Sequence, residues 1–190
     1  MINILITGEN SYIGRKFIEY ISEFPNQYTI ESISVRGDGW KEKSFGKYDS
    51  VIHVAGIAHK KNIEKSLYYS VNKDLSKSVA QKAKEDGVHQ FIYLSSMAVF
   101  GKDKGIIDKN TKTSPKDNYG KSKLLAEGEL FALETNNFQV AVVRPPMVYG
   151  ENAPGNYQKL CKLSRFILFF PDSKNTRSMI FIDNLSKLDV

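Results

Sequence analysis

Two side chains four residues apart, Tyr119 and Lys123 in Tyr119-Gly120-Lys121-Ser122-Lys123, form the pair in this chain best suited to moving a proton. In a helix that spacing puts both on one face. A phenol is a poor base at its ordinary pKa of about 10. A neighbouring ammonium favours the phenolate and lowers that value, so the phenol can take and return a proton near neutral pH. Upstream, an apolar stretch ends in Ser95-Ser96-Met97-Ala98-Val99-Phe100-Gly101. A hydroxyl at the carboxyl end of a parallel strand lies where such sheets bind ligands. Ser96 there would share developing charge on a substrate oxygen with Tyr119. Each feature also has a plainer reading: a solvated Tyr-x-x-x-Lys pair, and strand-ending serines bonded to backbone.

A second constellation is Thr7-Gly8-Glu9-Asn10-Ser11-Tyr12-Ile13-Gly14, between an apolar stretch and an amphipathic one. In a dinucleotide-binding turn the first glycine bends the chain and the last lets helix and strand pack closely. The helix N-terminus then offers N–H groups to a pyrophosphate. Gly8, Ser11, Tyr12, Ile13 and Gly14 are the candidate contacts. Ser11 stands where glycine is usual, and its Cβ would crowd the pyrophosphate unless the turn shifts; the alternative is a plain strand-to-helix turn. An arginine at the end of the second strand accommodates a 2′-phosphate, whereas an acid there accepts from the ribose hydroxyls. Arg36 favours NADP(H), with NAD(H) possible through Asp38, and its plain reading is a solvated loop arginine.

The elements that must position these groups follow from the period of the apolar residues. Strands are expected at Ile2 to Thr7, Tyr28 to Val35, Ser50 to Val54, His89 to Ser95 and Gln139 to Val143. Helices are expected at Arg15 to Phe24, about Ile63 to Asp86, and Tyr119 to Asn136. Alternation of this kind implies right-handed crossovers and a doubly wound parallel α/β sheet. Only 14 residues separate Val35 from Ser50, so a third strand there must be rudimentary or missing. Beyond Gly150, Tyr157 to Phe170 reads as a helix plus an apolar segment, Met179 to Ile182 as a short strand, and Asp183-Asn184 as the start of a helix. The pattern stops at Val190 in mid-course, so a truncated chain is expected.

Composition narrows the class. The 190 residues hold 27 Lys and Arg against 21 Asp and Glu, a net charge of +6, with 41% hydrophobic residues. That is ordinary for a globular domain and unlike disordered, collagen-like or coiled-coil chains. The lysines are interspersed with acids and the longest basic run is Lys60-Lys61, so no nucleic-acid partner is expected. No apolar run approaches the ~18 residues of a membrane span. The single cysteine, Cys161, excludes an internal disulfide framework and a Cys-rich zinc site. Without a leader-like start, the cytoplasm is the expected location.

With glycine turn, serine and Tyr-x-x-x-Lys in order, the chain resembles the extended short-chain dehydrogenase/reductase family of nucleotide-sugar epimerases, dehydratases and reductases, over essentially all of 1–190. Further matches are Val51-Ile52-His53-Val54-Ala55-Gly56, Val71-Asn72, Glu127, and Arg144-Pro145-Pro146-Met147-Val148-Tyr149-Gly150. The resemblance implies a Rossmann-type domain over 1–150 and the start of an incomplete C-terminal substrate lobe over 151–190. It implies Ser96, Tyr119 and Lys123 as catalytic, Lys123 also holding the nicotinamide ribose, and Ala55, Gly56 and Pro146 beside the cofactor. The stretch from Gly155 to Leu185 is similar to the substrate segment of bacterial UDP-4-keto-hexosamine reductases and UDP-hexose 4-epimerases, which implies Arg177 on the nucleotide diphosphate and Asn156 in the same pocket. Family dehydratases carry Asp-Glu where this chain has Met97-Ala98, so 4,6-dehydration is not expected, and Met147 replaces an asparagine common in the epimerases. Three functions follow as expectations. The first is reduction of a UDP-4-keto-6-deoxy-N-acetylhexosamine for surface polysaccharide, the second 4-epimerisation of a UDP-hexose, and the third a non-catalytic dinucleotide-binding regulator. A homodimer through the helices around Ile63 to Asp86 and Tyr119 to Asn136 is implied as well.

Overall fold

Residues 1–58, 63–166 and 176–187 are described by a computed structural model of the chain. Five parallel strands form the main sheet: β1 (Ile2–Thr7), β2 (Tyr28–Ile33), β3 (Ser50–His53), β4 (Gln90–Leu94) and β5 (Gln139–Val143), in the order β2-β1-β3-β4-β5. Helix α1 (Tyr12–Ile21) joins β1 to β2. Helices α2 (Lys65–Tyr69) and α3 (Ser76–Glu85) lie between β3 and β4, and α4 (Asn118–Phe131) between β4 and β5. The doubly wound architecture is as expected.

Successive side chains of a strand point to opposite faces, and both faces of β1 are dry. Leu5 joins Val51, Phe91 and Tyr93 under Val79, Ala80 and Ala83 of α3 and Ala126 and Leu130 of α4. On the other face Ile4, Ile6 and Ile52 pack against Phe17 and Ile21 of α1. That two-sided burial explains why β1 reads as an unbroken apolar run rather than an alternation.

No strand lies between Ile33 and Ser50. An irregular strap fills the space, anchored by Trp40, Phe45 and Tyr48, all buried in the larger cluster. The Trp40 indole donates to the Gly37 carbonyl at 3.0 Å, and the Phe45 N–H donates to Asp86 at 2.6 Å. Three helices depart from expectation, the first being α1, which runs Tyr12–Ile21 under a Ser11 cap rather than Arg15 to Phe24. α4 ends at Phe131 rather than Asn136, because the chain then turns back through paired N–H and carbonyl groups of Thr135 and Phe138. The long helix from Lys65 to Glu85 is broken by a π-helical turn at Ser70–Leu75. Beyond the sheet, β6 (Met147–Tyr149) pairs in parallel with β7 (Met179–Phe181). Between them lies α5 (Asn156–Ser164), and α6 (Ile182–Ser186) follows against α1. Of the expected apolar segment ending at Phe170, residues 167–170 lie outside the described residues. Among the described residues no helix is long and apolar enough to cross a membrane.

His53, at the end of β3, is wholly buried between the rings of Phe91 and Tyr93. Its Nδ1 lies 2.7 Å from the Thr7 hydroxyl and its Nε2 3.0 Å from the Ser76 hydroxyl. Ser76 gives its only proton to the Asn72 carbonyl, so Nε2 must donate to Ser76 and Nδ1 accept from Thr7. Burial, with Lys123 nearby, lowers the His53 pKa from 6.5 to about 3. An unfolded histidine takes a proton as pH drops below about 6.5, whereas the folded one stays neutral. Stability is therefore full above that pH and falls below it, by about 1.4 kcal/mol per unit until the folded pKa is reached. Urea unfolding at pH 7 and pH 5 should show a loss of about 2 kcal/mol from this group, and a His53→Gln variant should lose that share of the slope.

Candidate active site

The carboxyl ends of β1 and β3 are level, Thr7 pairing with His53, which brings the turn after β1 against Ala55. Gly8 has φ +90, and a Cβ on it would sit 2.6 Å from the Ala55 nitrogen. A Cβ on Gly14 would sit 2.6 Å from the Gly8 carbonyl oxygen. Between them Ser11 caps α1, its Oγ accepting the Gly14 N–H at 2.9 Å. The Ser11 hydroxyl therefore folds back onto the helix start. Tyr12 and Ile13 occupy the first turn, whose N–H groups have no partner within the helix.

Two cavities open above this turn. One of about 800 Å³ is lined by Gly8, Ser11, Arg36, Ala55 and Gly56, among others. The other, about 470 Å³, is lined by Ser11, Tyr12, Ile13, Gly56, Ser96, Met97, Ala98, Tyr119, Lys123, Pro146 and Met147, among others. Ser11, Gly56 and Ile57 are common walls, so the two form one groove from Arg36 to Tyr119. Arg36 stands exposed at its end, while Asp38 pairs with Lys41 at 2.6 Å and does not line it. Twin glycines whose Cβ atoms would strike backbone, beside the N-terminus of α1, suit the diphosphate of a dinucleotide.

Asp117 caps α4 by accepting the Gly120 N–H at 2.7 Å, which places Tyr119 in the first turn. A Cβ on Gly120 would come within 2.7 Å of the Ala98 carbonyl oxygen, so α4 rests directly on the 3₁₀ turn Met97–Phe100 that Ser96 caps. Burial dominates at Tyr119 and pushes its phenol above the ordinary range; a hydrogen bond with Ser96 lowers it, and Asp117 and Tyr68 raise it. The lowering expected from Lys123 is not what this site shows: desolvation dominates, and Ser96 is the group that lowers the phenol. Lys123 is buried, its Nζ donating to the Leu94 carbonyl at 2.8 Å and lying 4.5 Å from the Tyr93 ring centroid. Burial brings its pKa down to about 7, and Glu127 opposes that fall. Space is tight at Gly56, where a Cβ would meet Lys123 Nζ at 3.2 Å and Asn72 Oδ1 at 3.1 Å.

Several residues around this site were given no role from sequence. Asn72, buried in the π turn, accepts the Ile57 N–H at 2.8 Å and donates to the Ile57 carbonyl and the Ser122 hydroxyl, each at 3.0 Å. It ties the loop after β3 to α4. The signal was Asn72 and Ser76 on the same four-spaced stripe as Tyr68 and Ala80, where polar residues must be bonded if buried. Ser95 turns its hydroxyl onto the buried Glu127, which also receives two N–H bonds from Arg144 at 3.1 and 2.6 Å. Of the substrate-side residues, Arg177 is exposed on the chain entering β7 and does not line the groove. Asn156 opens α5, and its side chain lies outside the described residues.

The model of the NAD dependent epimerase/dehydratase family matches residues 4–186. Among curated relatives, an N-acetyl-α-D-glucosaminyl-diphospho-ditrans,octacis-undecaprenol 4-epimerase of Escherichia coli O157:H7 is 27% identical over 96% of the chain. A UDP-glucose 4-epimerase of Vibrio cholerae is 28% identical over 99%. The chain spans 60% and 65% of the lengths of these two relatives. Among solved structures, the UDP-glucuronic acid 4-epimerase of Bacillus cereus with NAD superposes with a TM-score of 0.80 at 21% identity, covering 98% of this chain and 71% of that one. RMD of Pseudomonas aeruginosa, complexed with NADPH, gives 0.81 at 18%, covering 98% and 72%.

Gly8→Ala should cost on the order of 1–3 kcal/mol through backbone strain, seen as a lowered urea midpoint. It should also abolish NADH and NADPH binding measured by fluorescence, because the Ala55 loop is driven off the turn.

Proposed function

The chain belongs to the NAD dependent epimerase/dehydratase family, and from that premise we propose that its groove carries out hydride and proton transfer at C4 of a UDP-activated sugar. The observation that carries the reading is the convergence of Ser96, Tyr119 and Lys123 on one wall of a groove that runs on past the glycine turn to Arg36. A nicotinamide dinucleotide would supply the hydride donor or acceptor. Gly8, Ser11, Tyr12, Ile13 and Gly14 would hold its diphosphate, and Ala55, Gly56, Lys123 and Pro146 its nicotinamide end. Tyr119, kept neutral by burial, would give its proton to the sugar O4 as a C4 ketone is reduced, while Ser96 donates to the same oxygen. Tyr119 would act in the opposite sense, as a base, where a cation beside it draws its pKa down.

Two overall reactions use this step. Reduction of a UDP-4-keto-6-deoxy-N-acetylhexosamine with NADPH is favoured by Arg36 at the groove and Asp38 turned to Lys41. It is also favoured by Met97 and Ala98, whose apolar side chains supply no acid or base for dehydration. 4-Epimerisation with retained NAD is favoured by the names of both curated relatives. By the resemblance to enzymes of this class, Asn156 and Arg177 would meet the nucleotide diphosphate. The exposed Leu67, Leu125 and Phe131 on α2 and α4 would form a homodimer interface, giving twice the 21.5 kDa chain mass in sedimentation.

Incubating the protein with the 4-keto sugar and each reduced nicotinamide, and separately with UDP-glucose, tests the proposal. NADPH oxidation supports the reductase and conversion of UDP-glucose to UDP-galactose the epimerase; neither reaction, with no nucleotide bound, overturns both. Tyr119→Phe should lower turnover by about 10²–10⁴-fold and leave nucleotide affinity intact. Arg36→Ala should weaken NADPH about tenfold or more without changing NADH.

A further inference from the structure

Behind the groove, a lysine and a glutamate are almost wholly buried, and the partly exposed Arg144 reaches in to the carboxylate. Lys123 and Glu127 are one turn apart on the inner face of α4, both almost fully buried. The Glu127 carboxylate accepts from Ser95 Oγ and from two nitrogens of Arg144, whose guanidinium lies 5.0 Å from the Phe100 ring centroid. Ser95 is the residue after Leu94, and the Leu94 carbonyl receives the Lys123 ammonium. We propose that Glu127 is a positioning residue: through Ser95 it fixes the Leu94 carbonyl that Lys123 binds, and its negative charge holds that amine as an ammonium.

Geometry and charge both lead there. Without Glu127 the buried Lys123 amine would have no counter-charge and would give up its proton more readily. The other ionisable groups facing Lys123 supply no anion. Tyr119 on α4 and Tyr93 on β4 are both pushed upward by burial, and His53 on β3 is neutral. Burial alone draws the Lys123 amine down toward neutrality, and Glu127 is what opposes it. The same carboxylate bridges the two strand ends, accepting from Ser95 after β4 and from Arg144 after β5. Backbone bonds also join them there, Ser95 N–H to the Val143 carbonyl at 2.7 Å and Met97 N–H to the Pro145 carbonyl at 3.1 Å. Glu127 thus fixes where Ser96 leaves the sheet and whether Lys123 is charged. The inference rests on the reading of Ser96, Tyr119 and Lys123 as the reacting site.

The test is titration of the whole chain labelled with ¹³Cε-lysine, the Lys123 resonance being assigned by its loss in Lys123→Arg. In Glu127→Gln the Lys123 midpoint should fall by about one pH unit, a tenfold loss of proton affinity, and Glu127→Asp should recover part of it. Arg144→Gln leaves the carboxylate with one cation fewer to neutralise and should move the midpoint the other way. An unchanged midpoint in folded Glu127→Gln overturns the proposal; should that variant not fold, a midpoint that fails to rise in Arg144→Gln overturns it. NADH and NADPH binding by the unaltered chain, read by fluorescence, separates the two readings: its absence removes the proposed function and leaves the titration result standing.

Discussion

A lysine ammonium withdrawn from water is the constraint around which this molecule is arranged. Lys123 has a carbonyl to bond, an aromatic face to lie against, and a carboxylate one turn further along its helix. Supplying those three from one helix and one strand fixes how α4 crosses β4, since the bonded carbonyl is that of Leu94, at the strand's last residue. The glycine at position 56 and the asparagine in the π turn then fit around the amine. A buried charge of this kind is costly unless every partner is in place. Of the polar residues of this region, His53, Asn72, Ser76 and Ser122 are accordingly bonded to one another or to backbone, and Glu127 to Ser95 and Arg144.

The strand pattern was legible because a parallel sheet buried on both faces writes itself as short runs of Ile, Leu and Val between turn residues. The gap after Val35 was legible too, since too few residues stand there for a helix and a strand. What filled it was not, because Trp40, Phe45 and Tyr48 follow no period and are placed by the cavity they occupy. The π turn left no local sign: a helix gains a residue there without any change in propensity, and only the depth of Asn72 and Ser76 marks it. Tyr119 and Lys123 were singled out by their spacing together with the serine-ended strand that precedes them. The direction in which burial moves the Tyr119 phenol was not, since helical spacing reports neighbours and says nothing of desolvation. Glu127 and Arg144 stood out in the sequence as parts of a family pattern. Their pairing, and the turn of Ser95 toward them, needed the third dimension.

The two faces of the sheet are built differently. The larger cluster, under α3, α4 and the aromatic strap, contains most of the buried rings. The smaller one, under α1, is aliphatic apart from Phe17, and α6 packs onto α1 beside it. Tyr119 and Lys123 are carried by α4, which packs on the heavier face through Ala126 and Leu130. The groove therefore has one wall fixed by dense packing and hydrogen bonds, and another made of the helix start after β1 and the short β6–β7 pair.

The irregular strap brings an optical property with it. Trp40 is the sole tryptophan of the chain, its indole held on the Gly37 carbonyl and stacked at a tilt near Phe45, four residues from the arginine at the groove's end. Emission from this molecule, excited at the red edge of the protein band, thus comes from a single fixed fluorophore beside the pocket's outer mouth. A reduced nicotinamide absorbs in the range where that emission falls, so the chain carries its own resonance-energy donor and needs no added dye.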